Sequence, residues 1–217
     1  MSMRSEGRFI VFEGLDGAGT TTQARLLAER LARDMPQRRV HVTAEPSLGP
    51  IGQVIRQVLK GRMVGLTAAG TPVPLDRRAL ALLFAADRLD HLACEVRPLL
   101  DEGYLVISDR YALSSLAYQG LDVDRAWVAE INRHAPAPDI QFFLETPAET
   151  GWHRIQGTRP GNEIFEAPET LAKVAESYRQ SLDLFAVGRT RVIDGTLSRE
   201  DVAGQVWSVL HDAGIVP

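Results

Sequence analysis

Short apolar runs alternate with helical patterns along most of the chain. The apolar runs predict five strands, and most of them are nearly continuous, as is typical of parallel strands buried on both faces. The predicted strands cover residues 9–13, 40–44, 104–108, 140–145 and 191–193. Apolar residues spaced three and four apart predict helices between them, including a long helix over 77–100.

Strands that alternate with helices indicate βαβ units, right-handed crossovers and one open parallel sheet. We find no internal repeat or linker, so residues 1–217 form a single predicted domain. Residues 61–75 are rich in Gly and Pro and predict a loop. Residues 157–168 have a similar composition between a strand and a helix, which predicts a mobile lid over about 153–168.

Composition excludes several classes of protein. A net charge of −4 argues against a broad nucleic-acid-binding surface. Residues 1–7 do not resemble a signal or transit peptide, and no apolar run is long enough to cross a membrane. Cys94 is the only cysteine, so no internal disulfide is possible, which suits a reducing cytoplasm. We expect Cys94 to be a small buried residue.

The basic residues are almost all arginine. Lys60 and Lys173 are the only lysines among 24 basic residues, which leaves 22 arginines. Because the guanidinium fork matches phosphate geometry, a phosphate site in this chain is expected to be built from arginine.

A glycine-rich segment follows the first predicted strand and opens the first helix. It reads Gly14-Leu15-Asp16-Gly17-Ala18-Gly19-Thr20-Thr21. Glycines permit a tight turn whose backbone N–H groups hold phosphate at the positive end of a helix. Gly14, Gly19 and Thr21 fit the pattern G-x-x-x-x-G-K-[ST], but Thr20 stands at the lysine position and has no charge. The alternative is a glycine-rich turn that binds nothing.

Several further segments occur in a fixed order. They are Glu45-Pro46, Leu83-Phe84-Ala85-Ala86-Asp87-Arg88, Asp109-Arg110-Tyr111 and Ser114-Ser115-Leu116-Ala117-Tyr118-Gln119. With Phe12-Glu13 and the glycine-rich segment, this set resembles the thymidylate kinase family of P-loop nucleoside-monophosphate kinases over roughly residues 8–210. The resemblance implies a P-loop NTPase-type three-layer α/β/α fold, with a five-stranded parallel sheet and a mobile lid.

The resemblance implies that this chain transfers phosphate from ATP to dTMP with Mg²⁺. ATP is then expected at the glycine-rich segment, through Gly14, Asp16, Gly17, Ala18, Gly19, Thr20, Thr21 and Thr22. Asp109, at the carboxyl end of a strand, and the Thr21 hydroxyl are the predicted metal residues. Arg110 is predicted to hold the phosphates of donor and acceptor. Alternatively, Asp109 and Arg110 form a local salt bridge.

The acceptor site is expected on the helix at 77–100 and on the segment after Arg110. Phe84 and Arg88 are four residues apart and share a helix face, so a ring can stack on a base while a guanidinium donates to an exocyclic oxygen. The resemblance implies that Phe84 stacks on thymine and that Arg88 bonds its O4. Otherwise Phe84 is core and Arg88 is an exposed surface residue. The resemblance also assigns Ser114, Ser115, Tyr118 and Gln119 to the thymine edge and deoxyribose. The alternative for Tyr118 is ordinary helix packing.

Three further positions complete the predicted site. Glu45 is expected to order waters around magnesium or the acceptor phosphate, although the arginine that often precedes it in the family is Ala44 here. Arg56 lies where the family binds the monophosphate, or is simply a polar helix position. Asp16 is predicted to face the acceptor phosphate and its magnesium or arginine partners.

The charge missing at Thr20 is expected from Arg110 and from the predicted lid residues Arg154 and Arg159. Two other functions compete with dTMP kinase activity: a nucleotide-binding protein without catalysis, and a kinase for another monophosphate. The resemblance further implies a homodimer. The helix over 77–100 could provide its interface, or its apolar pattern could be internal core.

Overall fold

The computed structural model describes residues 6–156, 168–185 and 189–217. Its main sheet has five strands, and a separate hairpin adds two short ones. In chain order the strands are β1 Arg8–Glu13, β2 Val40–Ala44, β3 Gly65–Leu66, β4 Pro72–Val73, β5 Leu105–Asp109, β6 Ile140–Glu145 and β7 Thr190–Asp194.

The main sheet has the order β2-β5-β1-β6-β7, and every pair in it is parallel. This confirms the predicted five-stranded parallel sheet. All carboxyl ends therefore lie along one edge, where open α/β sheets bind their ligands. The register places Phe12 and Ala44 beside Asp109, and Glu145 beside Asp194.

Helices cover both faces of the sheet. They are α1 Thr20–Asp34, α2 Pro50–Leu59, α3 Arg77–His91, α4 Arg97–Asp101, α5 Ala112–Tyr118, α6 Arg125–Ile131, α7 Ala148–Gln156, α8 Pro168–Ser181 and α9 Arg199–Asp212. In the described parts of the chain, no helix is both long and apolar enough to cross a membrane.

The core divides on the two faces of β1 because successive strand residues point to opposite sides. Ile10 and Phe12 join the larger cluster, which includes apolar residues of α1 and α9. Phe9 and Val11 join a smaller cluster with Val106 of β5. Burial on both faces fixes the strand that leads into the glycine-rich segment.

The structure corrects three sequence predictions. The helix predicted over 77–100 ends at His91 and is followed by a π-helical turn, Leu92–Val96, and by α4. Pro98 lacks the N–H that a continuous helix needs. The loop predicted over 61–75 contains the β3–β4 hairpin, whose turn includes Gly70 at a φ of 80°.

Cys94 is exposed, so its predicted burial was wrong. Leu92 and Val96 face the core, and the residue midway between them points outward. Asp90 raises the pKa of the Cys94 thiol through a hydrogen bond and its charge.

Candidate active site

The glycine-rich segment forms a tight turn between β1 and α1. Gly17 and Gly19 have φ angles of 80° and 98°, a region that side chains other than glycine rarely adopt. Gly19 is also the N-cap of α1, with no side-chain cap. The free N–H groups of the first helical turn therefore face the carboxyl edge of the sheet, where they can bind an anion. We call residues 14–19 the phosphate loop.

The phosphate loop packs directly on α7. A Cβ at Gly17 would lie 2.3 Å from the carbonyl oxygen of Gly151, and a Cβ at Gly151 would lie 2.7 Å from that of Asp16. Arg154 of α7 donates to the carbonyl oxygens of Gly17, at 3.4 Å, and Gly195, at 2.9 Å. Arg154 thus connects the phosphate loop with the loop that follows β7.

Thr21 and Asp109 meet at the start of α1. The Thr21 hydroxyl donates to Asp109 Oδ2. Asp109 Oδ1 is buried and has no hydrogen-bond partner. A buried carboxylate oxygen without a partner is costly unless a ligand or cation completes it. These hard oxygen donors fit Mg²⁺, which takes few protein ligands and keeps water and phosphate oxygens around it. Among the described residues, no group of three or more acidic, histidine or cysteine side chains is arranged so that it could hold a metal ion by itself.

Thr20 contributes no charge to this edge. Its side chain is buried, at 5% exposure, and its methyl group lies near Gly14. The guanidinium of Arg110 lies against the same loop instead. Arg110 Nη1 donates to the Gly14 carbonyl oxygen at 3.0 Å, and Nη2 pairs with Asp16 Oδ1 at 2.7 Å.

Arg110 sits in a strained backbone conformation at the end of β5. Its φ is 73°, and among described residues it is the one other than glycine with positive φ. Such strain persists where the surroundings impose it, and it concentrates at functional sites. The local salt bridge with Asp109 is not formed, since Arg110 pairs with Asp16. The Arg110 guanidinium also lies 5.1 Å from the centre of the Tyr118 ring.

Tyr118 does more than pack within α5. It is buried, and its hydroxyl donates to Asp16 Oδ2 at 2.9 Å. Asp16 therefore holds Arg110 with one carboxylate oxygen and Tyr118 with the other. The predicted acceptor segment is tied in this way to the predicted donor loop.

The predicted acceptor residues differ in their exposure and in their polar contacts. Phe84 is partly exposed and belongs to neither core cluster. The alternative prediction, that Phe84 is a core residue, is therefore wrong. Ser115 and Gln119 are buried on the α5 side. Gln119 Oε1 and Arg56 Nε are buried without a hydrogen-bond partner. A polar ligand or water would satisfy these atoms and Asp109 Oδ1, as it would the similar atoms of Gln23, Arg38, Arg125 and Gln141 outside the predicted site.

Arg88 of α3 and Glu45, which follows β2, form a buried ion pair. Their side chains are 2% and 4% exposed, and Arg88 Nη2 lies 2.7 Å from Glu45 Oε2. Arg88 also donates to the Tyr111 carbonyl and to Ser115 Oγ, both at 3.1 Å, and to Asn132 Oδ1. Arg88 is therefore not an exposed surface residue. Its contact with thymine O4 stays a prediction, as do the nucleotide contacts of the other site residues.

Sequence reasoning missed the residues that support this pair. His91 Nδ1 lies 3.4 Å from Glu45 Oε1, and Asp87 accepts hydrogen bonds from the N–H and hydroxyl of Ser47. Burial disfavours a charge on His91, but the hydrogen bond and charge of Glu45 outweigh it, so the pKa of His91 is raised.

Glu13 is a further buried carboxylate that sequence reasoning did not assign. It ends β1, directly before the phosphate loop, and is 0% exposed. It accepts hydrogen bonds from the Tyr111 N–H at 2.9 Å, the Ser114 N–H at 3.2 Å and the Ser114 hydroxyl at 2.5 Å. Glu13 thereby holds the start of α5 against the phosphate loop. The sequence does contain a signal for a special role of Glu13, because a charged residue ends an otherwise apolar strand.

Burial raises the pKa of Glu13 from 4.5 to about 6, although hydrogen bonds from Ser114 and the charge of Arg110 oppose the rise. A folded-state pKa above the unfolded value means that Glu13 stabilises the fold more when protonated. That contribution is present below pH 4.5 and is lost as pH rises through about 6.

Glu13→Gln, which cannot titrate, should remove this pH dependence. Between pH 4.5 and pH 7, the free energy of unfolding of the variant should rise by about 2 kcal/mol relative to that of the wild type. Urea unfolding at four pH values in this window measures it. A difference that stays constant across the window would show that Glu13 does not titrate as described.

One predicted catalytic residue, Arg159, lies outside the described residues, as does most of the predicted lid. The structure brings the other predicted residues to the carboxyl edge of the sheet or onto the adjoining helices. Asp194 ends β7, and Gly195 and Thr196 follow it at the same edge.

A parallel sheet with a phosphate loop after its first strand, and with Thr21, Asp109 and Arg110 around that loop, defines a P-loop phosphotransferase. Comparison with known proteins identifies the family. A thymidylate kinase family profile matches residues 12–206. The chain belongs to the thymidylate kinase family.

Similar proteins cover nearly the whole chain. A probable thymidylate kinase of Methanococcus aeolicus is 42% identical over 216 residues, which cover 96% of this chain and 98% of that protein. Proteins of the same name from Pyrobaculum aerophilum and Thermococcus kodakarensis are 40% and 38% identical over 204 and 207 residues. These alignments cover 93% and 94% of this chain, and 95% and 97% of those proteins.

Proposed function

We propose that this chain transfers the γ-phosphoryl group of ATP to the phosphate of dTMP, giving ADP and dTDP, with Mg²⁺. The observation that carries the proposal is the position of Arg110. Its guanidinium contacts the phosphate loop at Gly14 and Asp16, and Asp16 in turn binds Tyr118 of the acceptor segment. One cationic group therefore lies between the two predicted nucleotide sites. Family membership supports the same reaction.

Phosphoryl transfer needs positioning and positive charge more than covalent chemistry. The phosphate loop N–H groups would hold the ATP phosphates, and Arg110 would orient the acceptor phosphate in line with the γ-phosphate. Thr21 and Asp109 would hold Mg²⁺, which, when bound, offsets charge on the β- and γ-phosphate oxygens. Arg154, next to Gly17, adds a second cation beside the loop.

Thr20 also favours a second candidate, a nucleotide-binding protein without catalysis. Thr20 is buried and uncharged, and Ala44 removes a second basic position. Against this candidate, Arg110 contacts the carbonyl oxygen of Gly14 and so brings a charge to the loop that lacks the lysine. We propose that Arg110, with Arg154 and Arg159, replaces the lysine charge.

Acceptor choice tests the proposed base site. Buried polar groups that match one base reject another strongly, because they are left unpaired. Wild-type protein with ATP, Mg²⁺ and each of dTMP, dUMP, dCMP and dGMP should show the highest kcat/KM with dTMP, and a value about 10³-fold lower with dCMP. A coupled ADP-release assay measures this. Equal kcat/KM for dTMP and dCMP would contradict the thymine site.

A homodimer is part of the same proposal. Leu82 and Leu89 of α3 are 49% and 41% exposed, and Ala86 between them is also exposed. Their spacing of three and four residues places them on one helix face, and an exposed apolar stripe is typical of an interface. The mass from sedimentation velocity tests it. A cytoplasmic location is also proposed, because the lone Cys94 can form no internal disulfide that would call for an oxidising compartment.

A further inference from the structure

Tyr178 lies at the centre of a buried hydrogen-bond cluster beside the phosphate loop. The residue is 0% exposed. Its hydroxyl oxygen lies 3.0 Å from the Gly14 carbonyl oxygen, 2.9 Å from Ser114 Oγ and 3.3 Å from Glu13 Oε2. Tyr178 belongs to α8, far along the chain from these partners. No step of the proposed transfer uses its hydroxyl.

The same hydroxyl contacts Arg110. Arg110 Nη1 lies 3.3 Å from the Tyr178 oxygen, and Nη2 pairs with Asp16 at 2.7 Å. The guanidinium is thus held at two edges, by Asp16 on one and by Gly14 and Tyr178 on the other. Asp16 and Gly14 belong to the phosphate loop itself, whereas Tyr178 is anchored in a separate helix.

The chemistry of a hydroxyl suits this position. A tyrosine hydroxyl has one proton to donate and lone pairs that accept. The Tyr178 proton can be donated to the Gly14 carbonyl oxygen, and the lone pairs of its oxygen can accept from Arg110 Nη1. In the contact with Ser114 Oγ, either hydroxyl can be the donor. The Tyr178 hydroxyl therefore fixes a carbonyl of the loop and the guanidinium relative to each other.

The ring of Tyr178 is held independently of its hydroxyl. Its centre lies 5.2 Å from that of Phe143 and 6.0 Å from that of Tyr118. Loss of the hydroxyl alone should therefore leave the ring in place and remove only the polar contacts.

We propose that Tyr178 is a positioning residue for phosphoryl transfer, which acts by fixing the orientation of Arg110 against the phosphate loop. This inference rests on the proposed function, and it goes beyond it by adding a residue that does not touch the nucleotides. Because small misplacements of a catalytic group cost far more in rate than in binding, its effect should fall on kcat.

Tyr178→Phe is expected to lower kcat for dTMP phosphorylation about tenfold, with the KM values for ATP and dTMP changed less than about threefold. Steady-state kinetics measure the split, and thermal unfolding shows whether the variant is folded. The matched control is Ser181→Ala, which removes another buried hydroxyl of α8, one that donates to the Ser177 carbonyl oxygen at 2.7 Å. Its kcat should stay within about twofold of wild type.

A Tyr178→Phe protein with wild-type kcat would overturn the inference, and so would an equal loss of kcat in Ser181→Ala. If Tyr178→Phe is unfolded at the assay temperature, 3-fluorotyrosine at position 178 keeps the hydroxyl and changes its acidity. A change in kcat above about twofold at constant KM then supports the inference, and an unchanged kcat overturns it. Wild-type protein without turnover would instead refute the proposed function.

Discussion

Replacement of Arg110 by alanine is expected to lower kcat by about 10³-fold, the scale of effect seen when an arginine that neutralises transferring phosphate is lost. Thr20 offers no charge, so Arg110 is the cation that the described residues place against Gly14 and Asp16. Arg110→Lys should recover only part of the loss, because a single ammonium cannot bridge both edges as the guanidinium does.

The backbone of Arg110 allows a sharper version of this test. Its φ of 73° is strained for alanine and is readily adopted by glycine. Arg110→Gly should therefore show the same loss of kcat as alanine without added strain. Arg25→Ala is the control, since Arg25 is exposed on α1, where it pairs with the exposed Glu29. Near wild-type kcat in Arg110→Gly would contradict the assignment.

Replacement of Arg88 by alanine is expected to reduce the free energy of unfolding by about 3–5 kcal/mol. The change leaves the Glu45 carboxylate buried at 4% exposure, without the guanidinium 2.7 Å away. It also removes the guanidinium that donates hydrogen bonds to Asn132 Oδ1 and Ser115 Oγ. Urea denaturation with protein in nucleotide-free buffer measures the loss.

Two further variants serve as comparisons for Arg88→Ala. Arg25→Ala, which breaks an exposed pair, should change the free energy of unfolding by about 0.5 kcal/mol or less. Combining Arg88→Met with Glu45→Gln should cost less than Arg88→Ala, because no uncompensated carboxylate is left buried. If Arg88→Ala cost no more than Arg25→Ala, the buried pair would not stabilise the fold.

The sequence predicted the sheet and the phosphate loop because their signals are local. An apolar run marks each buried strand, and the register that places Asp109 beside Phe12 follows from parallel pairing. The glycines were predictive because their φ angles of 80° and 98° are demanded by the turn itself. The break in the long helix also had a local signal in Pro98, which the apolar pattern concealed.

The connections between the site residues could not be predicted. Glu45 and Arg88 are 43 residues apart, and Glu13 and Tyr178 are 165 apart. Such pairs depend on how loops and helices pack at the sheet edge, and neither partner carries a sign of the other. Tyr178 lies on the apolar face of α8 with Leu171 and Val174, so its spacing predicts core packing and says nothing of its hydroxyl.

The most direct test of the central claim is whether the wild-type protein, with its threonine at position 20, makes dTDP. Purified protein is incubated with ATP, Mg²⁺ and dTMP, and dTDP is separated and measured, with Thr20→Lys alongside. We expect dTDP formation by the wild type, at a rate that Arg110→Gly reduces. Tight dTMP binding by the wild type without dTDP, together with turnover by Thr20→Lys, would contradict it and favour the nucleotide-binding protein.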